Sequence, residues 1–312
     1  MAVTSRKRAR NRLRTRPWSY LWMLVPGLLI YAVFVVYPLL ASFRFSLYNW
    51  SGVGPLSDFI GLGNFAYVFA PSRFLPYVSR AFLHNLYFFA LAFVLNGALG
   101  FALAYLLSTI NRRASLFFQV LYLIPYLIPP IVVGFSWSIL LTPGYGPLAH
   151  LSKALHVAYL PVLGSSSLAL PTVVGITTWS ILGLPILIFL AAIINIPQEI
   201  LDAARVDGCG SFQVATRVVF PMLRSTFFTI LTLTWIGSFA VFDLVFVLEG
   251  TQAGPNYATD VFGTLFYRTA FGGFGSTAQG MGLAAAVAAV GFVFVMIISG
   301  IFVWLQRRYG DV

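Results

Sequence analysis

Apolar residues arrive in six long blocks, at 18–41, 82–108, 117–142, 169–194, 222–248 and 280–305, separated by shorter polar or Gly- and Pro-containing stretches. Crossing about 30 Å of hydrocarbon takes roughly 20 residues of helix at about 1.5 Å each, so every block is long enough. Inside the blocks the only His, Lys, Arg, Asp or Glu residues are His84, Arg224 and Asp243, each near a block end. The pattern predicts an all-α, polytopic membrane protein with six transmembrane helices. The first block has a basic flank, as a signal peptide would. However, its apolar stretch from Tyr20 to Phe43 is too long for a signal-peptide core, and no clear small-residue cleavage site follows. It reads as a retained anchor.

Composition agrees with the pattern. Charged residues are 9% of the chain and hydrophobic residues 59%, whereas an ordinary soluble domain carries about 25% charged residues. The net charge of +11 raises nucleic acid as a partner. Yet Arg6, Lys7, Arg8, Arg10, Arg12, Arg14 and Arg16 form one N-terminal run and the rest scatter over short loops, so no basic face exists to read a duplex. No nucleic-acid partner is expected; membrane lipid is. Cys209 is the single cysteine, which excludes an intrachain disulfide, and His84, His150 and His156 show no metal-ligand spacing. Neither a metal site nor a catalytic residue is predicted.

Lys and Arg also set the orientation. One side collects the N-terminal run with Arg112, Arg113, Arg205, Arg217, Arg224, Arg307 and Arg308, whereas the other holds Arg44, Arg73, Arg80, Lys153 and Arg268. Both termini are therefore expected in the cytoplasm. The domain reading is a basic tail at 1–17, a six-helix membrane domain at 18–305 with an inner loop at 196–222, and a short tail at 306–312.

That inner loop is the most informative segment. Pro197 suits the start of a helix, and Gln198 and Glu199 favour its positive N-terminal end. Gly208 and Gly210 break the helix near Asp207, and Ser211 is placed to cap a second one ending before Pro221. A bent helix pair results, with Ala203 and Ala204 small enough to fit closely into another protein's groove.

The spacing Asp202-Ala203-Ala204, then Gly208, then Val218, Phe220 and Pro221 resembles the EAA signature of importer-type ATP-binding-cassette permeases, with Asp for Glu, Val for Ile and Phe for Leu. Further segments are similar to the maltose-type carbohydrate permeases. These are Val36-Tyr37-Pro38 through Asn49-Trp50, residues 59–65, Ile124-Pro125-Tyr126 with Pro129-Pro130, Val241-Phe242-Asp243 leading to Gly254-Pro255, and 282–286. The resemblance implies a six-helix permease subunit of an ATP-driven sugar or oligosaccharide importer in a bacterial or archaeal inner membrane, itself not an enzyme. Asp202, Ala203, Ala204, Gly208 and Pro221 would belong to the element coupled to the ATPase. It also implies the partners: a homologous second permease, two ATPase subunits that bind ATP and Mg, and an extracytoplasmic solute-binding protein. The chain offers no phosphate-binding glycine loop beside Lys7 or Lys153, so no cofactor is expected on it.

Substrate would sit near the bilayer midplane, where helices are interrupted. Pro125, Pro129 and Pro130 disturb the third span around Tyr126; Thr177 and Trp179 lie at similar depth in the fourth, and Thr234 and Ser238 in the fifth. Aromatic faces and short hydroxyls suit a sugar, although the same residues also pack and bridge membrane helices. The resemblance places Tyr126, Thr177, Trp179, Thr234 and Ser238 at substrate-lining positions, and Tyr126 and Trp179 are expected to flank a sugar ring. Asp243, 22 residues after Pro221, is expected near the outer interface in a structural bond to the outer loop. Glycerol phosphate or another small solute is the alternative cargo. An ion-coupled transporter would need ionisable groups at depth, and an intramembrane enzyme a clustered set of them.

Overall fold

The computed structural model describes residues 17–272 and 279–309. It divides into two units, residues 1–44 and 45–312. The first contributes the opening helix, α1, which runs Pro17–Tyr31, passes through a π turn at Ala32–Val36, and continues as Tyr37–Phe45.

In the second unit α2 spans Gly63–Val68, α3 Leu75–Thr109, α4 Arg112–Leu127, α5 Pro130–Leu140, α6 Pro147–Ala154, α7 Ala169–Ile181 and α8 Gly183–Ile194. Then follow α9 at Gln198–Val206, α10 at Ser211–Met222, α11 at Arg224–Ala240, α12 at Asp243–Glu249, α13 at Phe262–Phe271 and α14 at Met281–Tyr309. Among the described residues there is no β-sheet, only an isolated antiparallel bridge between Tyr48 and Phe59. Three unbroken helical stretches are long and apolar enough to cross a membrane: Trp22–Phe45, α3 and α14. Three bent pairs complete six spans when each pair counts once: α4 with α5 at 92°, α7 with α8 at 50°, and α10 with α11 at 72°.

The bends follow from backbone chemistry. Pro125 lacks the N–H that would bond the Leu121 carbonyl, and Pro129-Pro130 can start a helix but not continue one, so the third block turns sharply at Ile128 and Pro129. Pro185 likewise leaves the Ile181 carbonyl without its helical donor, just after the break at Leu182. Gly183 sits where α8 crosses α4; a Cβ there would overlap the Tyr122 carbonyl oxygen. Prolines elsewhere are absorbed differently. Pro38 and Pro221 each follow a π turn, in which Tyr37 N–H bonds Ala32 O and Phe220 N–H bonds Ala215 O. The extra residue per turn sets the missing proline N–H where helical bonding is already shifted.

Two expectations are corrected here. The second helix of the inner loop does not stop before Pro221 but runs through it to Met222, because of the π turn. Ser211 is its first residue, not its cap: the Gly210 N–H donates to Gln213 Oε1 (3.0 Å). The fifth block also does not run to residue 248 as one helix. It ends at Ala240; Val241 is extended and Phe242 non-helical, and α12 begins at Asp243 and packs on α5.

Buried helix ends need partners for their free N–H and C=O groups, and Asn85 supplies them. Its Nδ2 donates to Ser238 O (2.6 Å) near the end of α11, while its Oδ1 accepts from Phe262 N (2.9 Å) at the start of α13. One fully buried side chain thus ties the end of α11, just before the break in the fifth block, to the start of α13.

Three apolar clusters pack the second unit. One joins α3, α5, α7 and α12 around Val173, Val174 and Val245. Another joins α3, α11, α13 and α14 around Trp235, Leu265 and Val287. A third joins α3 and α8 to the inner loop and the start of α11 around Ile186, Phe189 and Val219.

Candidate functional site

The breaks in α4–α5, α7–α8 and α11–α12 open on one cavity of about 280 Å³. α3 contributes Phe88, Ala92 and Asn96, the α4–α5 elbow Tyr126 and Pro130, and α7 and α8 Thr177, Ser180, Ile181, Leu184 and Pro185. From α11 to α12 come Thr234, Gly237, Ser238, Val241, Phe242 and Asp243 among others. Gathering three helix interruptions at one place exposes backbone and short side chains that a continuous helix would cover.

Four of the five expected substrate residues, Tyr126, Thr177, Thr234 and Ser238, line this cavity. Trp179 does not. Thr177, Ser180 and Ile181 follow i, i+3, i+4 spacing and share one face of α7, whereas Trp179 is turned about 200° from Thr177 at about 100° per residue. Its ring packs edge-on against Trp137, with centroids 5.7 Å apart and planes at 77°. Depth along the helix was the basis for pairing it with Tyr126, and depth does not fix the face. Asp243 also departs from expectation: it lines the cavity and makes no hydrogen bond or ion pair among the described residues.

Three of the hydroxyls on this wall have a common polarity. Thr177 Oγ1 donates to Val173 O (2.8 Å), Ser180 Oγ to Thr177 O (2.8 Å) and Ser238 Oγ to Thr234 O (2.7 Å). Each spends its single proton on its own helix and keeps lone pairs for the cavity. With the Asp243 carboxyl group they place a few acceptors on a largely apolar wall, whose lining contains no Lys, Arg or His. Such a wall suits a ligand that carries many O–H donors and no negative charge. Sequence reasoning missed Asn96 and Ser180; the i, i+4, i+8 spacing of Phe88, Ala92 and Asn96 was a signal available for the first.

The inner loop forms the other candidate surface. α9 ends in a Schellman turn: Cys209 N–H bonds Ala204 O (3.0 Å), Gly208 N–H bonds Arg205 O (3.0 Å), and Gly208 has φ +83°. Asp202 pairs with Arg205 at 2.9 Å in an exposed position, a bond that contributes little by itself. Ala203 is open, as expected, but Ala204 faces inward and packs with Val214, Val219 and Leu223. It joins the two loop helices and is not available to a partner's groove. Pro221 is half-buried within α10. Beside these, Val206 and Phe212 leave 88% and 80% of their surface uncovered, an apolar pair on a loop whose neighbours are polar.

Among the described residues no three His, Cys, Asp or Glu side chains gather where they could hold a metal ion.

Comparison with known proteins places this geometry. The chain is 32% identical over 313 residues to the probable ABC transporter permease protein y4oQ of Sinorhizobium fredii, covering 100% of this chain and 96% of that one. It is 28% identical over 292 residues to the probable starch degradation products transport system permease protein AmyD of Thermoanaerobacterium thermosulfurigenes, covering 93% and 94%. Its fold matches a chain in the crystal structure of a bacterial ABC transporter involved in the import of the acidic polysaccharide alginate, with a TM-score of 0.78, 21% identity and coverage of 94% and 96%. A family model for binding-protein-dependent transport system inner membrane components matches residues 96–311, and the chain belongs to that family.

Proposed function

We propose that the chain is the permease subunit of an ATP-driven importer that carries a neutral sugar or oligosaccharide across a bacterial or archaeal cytoplasmic membrane, with both termini inside. The observation that carries this reading is the cavity at the three helix breaks, a largely apolar wall with Tyr126, several hydroxyls and one carboxyl group set into it and no cation in its lining. A saccharide offers hydroxyl donors to such acceptors and apolar C–H faces to Tyr126. An anionic cargo such as glycerol phosphate would meet Asp243 with no compensating charge on this wall. AmyD, which by its name serves starch degradation products, is similar along nearly the whole chain.

The inner loop, with Asp202, Ala203, Gly208, Val206 and Phe212 on its open side, would dock on a separate ATPase that binds ATP and Mg. Ala204 and Pro221 would keep the loop's shape. A homologous second permease would complete the pathway, and an extracytoplasmic binding protein would deliver the sugar.

The test is reconstitution in liposomes with the second permease, the ATPase and the binding protein, followed by uptake of maltose, maltotriose, diacetylchitobiose and sn-glycerol 3-phosphate. ATP-dependent accumulation of a neutral saccharide is expected. Uptake by this chain alone, driven by an ion gradient without ATP, would sink the reading. Within that assay Tyr126→Ala should lower uptake per folded molecule severalfold, since an aromatic contact contributes on the order of 1 kcal/mol beyond its buried area. Trp179→Ala, off the cavity, should leave normalised uptake near wild type. Equal losses in both variants would place the sugar elsewhere.

A further inference from the structure

Two asparagines on α3 lie 11 residues apart, about three helical turns, and so on nearly the same face. Both are fully buried. Asn85 engages both atoms of its amide, Nδ2 on Ser238 O and Oδ1 on Phe262 N. Asn96 uses none of it: neither Nδ2 nor Oδ1 has a hydrogen-bond partner among the described residues. An amide buried in that condition costs about 1–3 kcal/mol, and at mid-helix Asn is a weaker helix former than the Leu and Ala around it. Interhelical bonding is the common structural use of Asn in a membrane bundle, and here Asn96 makes no such bond. It does line the cavity, about 20 Å of helix from the inner end of α3, near mid-membrane depth.

We propose that Asn96 is a substrate-contact residue. Its Nδ2–H donates to one hydroxyl of the transported saccharide and its Oδ1 accepts from the neighbouring one, a vicinal pair that matches the side-by-side donor and acceptor of an amide. This sets a donor and an acceptor side by side on a wall where Thr177, Ser180 and Ser238 have committed their protons to their own helices. The amide is covered in this conformation, so the contact forms as α8 and α11, which flank α3, move apart around the sugar. The inference rests on the sugar-permease reading and extends it to a recognition residue.

A structural asparagine and a ligand-binding one respond oppositely to Asn96→Leu. Leu is of similar size and leaves no polar atom buried. If the amide serves only the ligand, the variant complex should melt at the wild-type temperature or above. Uptake at subsaturating sugar should meanwhile fall about tenfold, the equivalent of about 1.4 kcal/mol. Asn96→Ser, which keeps a donor and an acceptor, should recover part of that loss. The measurements are thermal unfolding of the purified complex and ATP-dependent uptake of whichever of maltose, maltotriose and diacetylchitobiose the wild type accumulates.

Wild-type uptake by Asn96→Leu overturns the proposal. So does a loss of uptake that tracks a fall in melting temperature, which would mark Asn96 as structural. If the wild-type complex accumulates none of the saccharides, the sugar-permease reading fails first and the inference with it.

Discussion

Replacing Arg268 with Met should destabilise the permease by about 3–5 kcal/mol, the typical cost of leaving one member of a buried ion pair alone. Asp260 is fully buried and Arg268 nearly so. The guanidinium grips the carboxylate with two bonds, Nη2 to Oδ2 at 2.8 Å and Nη1 to Oδ1 at 3.1 Å. Thr264 Oγ1 adds a third donor to Oδ1 (2.9 Å), and Arg268 also stands 4.9 Å from the centre of the Tyr257 ring. Removing the guanidinium strands a carboxylate in a site closed to water. Asp260→Asn combined with Arg268→Met removes both charges and should recover most of the loss, because a neutral pair has no desolvation penalty of that size. Thermal unfolding of the two variants and the wild type in one detergent makes the comparison. A single variant within 1 kcal/mol of wild type would show that water screens the pair.

The same pair bears on transport. His84 Nδ1–H donates to the Asp260 carbonyl (2.9 Å), and two residues further Phe262 N–H is held by Asn85, whose other amide atom holds Ser238 on the cavity wall. The outer segment and the break in the fifth block thus share a chain of buried polar contacts. Loosening the ion pair should therefore affect cavity shape as well as stability.

What was legible in the sequence follows from how local each cause is. Apolar blocks are set by length and composition, and five of the six appear near their expected bounds. The elbow at Pro125, Pro129 and Pro130 is a consequence of missing N–H groups, readable at once. Gly208 marks a left-handed turn that needs no tertiary context. By contrast, the break at Val241 and Phe242 has no proline or glycine of its own. Its partner is remote: Asn85, more than 150 residues away, bonds the Ser238 carbonyl just before it. Trp179 and Ala204 were assigned by depth and by motif position, and neither fixes the direction a side chain points. The π turns before Pro38 and Pro221 let the helix continue where a proline rule predicts a stop. Arg268 counted only as an outer-side charge, because its partner Asp260 carries no local sign of burial.

Gly208→Val should reduce ATP-driven uptake by tenfold or more while leaving the membrane bundle folded. At φ +83° a β-branched residue is a steric outlier, and holding it there costs on the order of 1–3 kcal/mol. Space is not the obstacle, since nothing lies within 4 Å of a Cβ built at this position. The strain is in the backbone itself, and the local way to relieve it is to undo the turn. That breaks the bonds from Cys209 N–H to Ala204 O and from Gly208 N–H to Arg205 O, which fix the angle between α9 and α10. Val206 and Phe212, one on each side of the turn and both open, would then no longer present a common surface to the ATPase. The membrane clusters around Trp235 and Val173 lie on other elements and should melt as before. The decisive pair of measurements is ATPase stimulation by loaded binding protein and uptake per folded complex. Both should fall together, and Gly208→Asn should retain more of each because Asn tolerates the left-handed region. Normal stimulation and uptake in Gly208→Val would remove the loop at 196–222 from the coupling pathway.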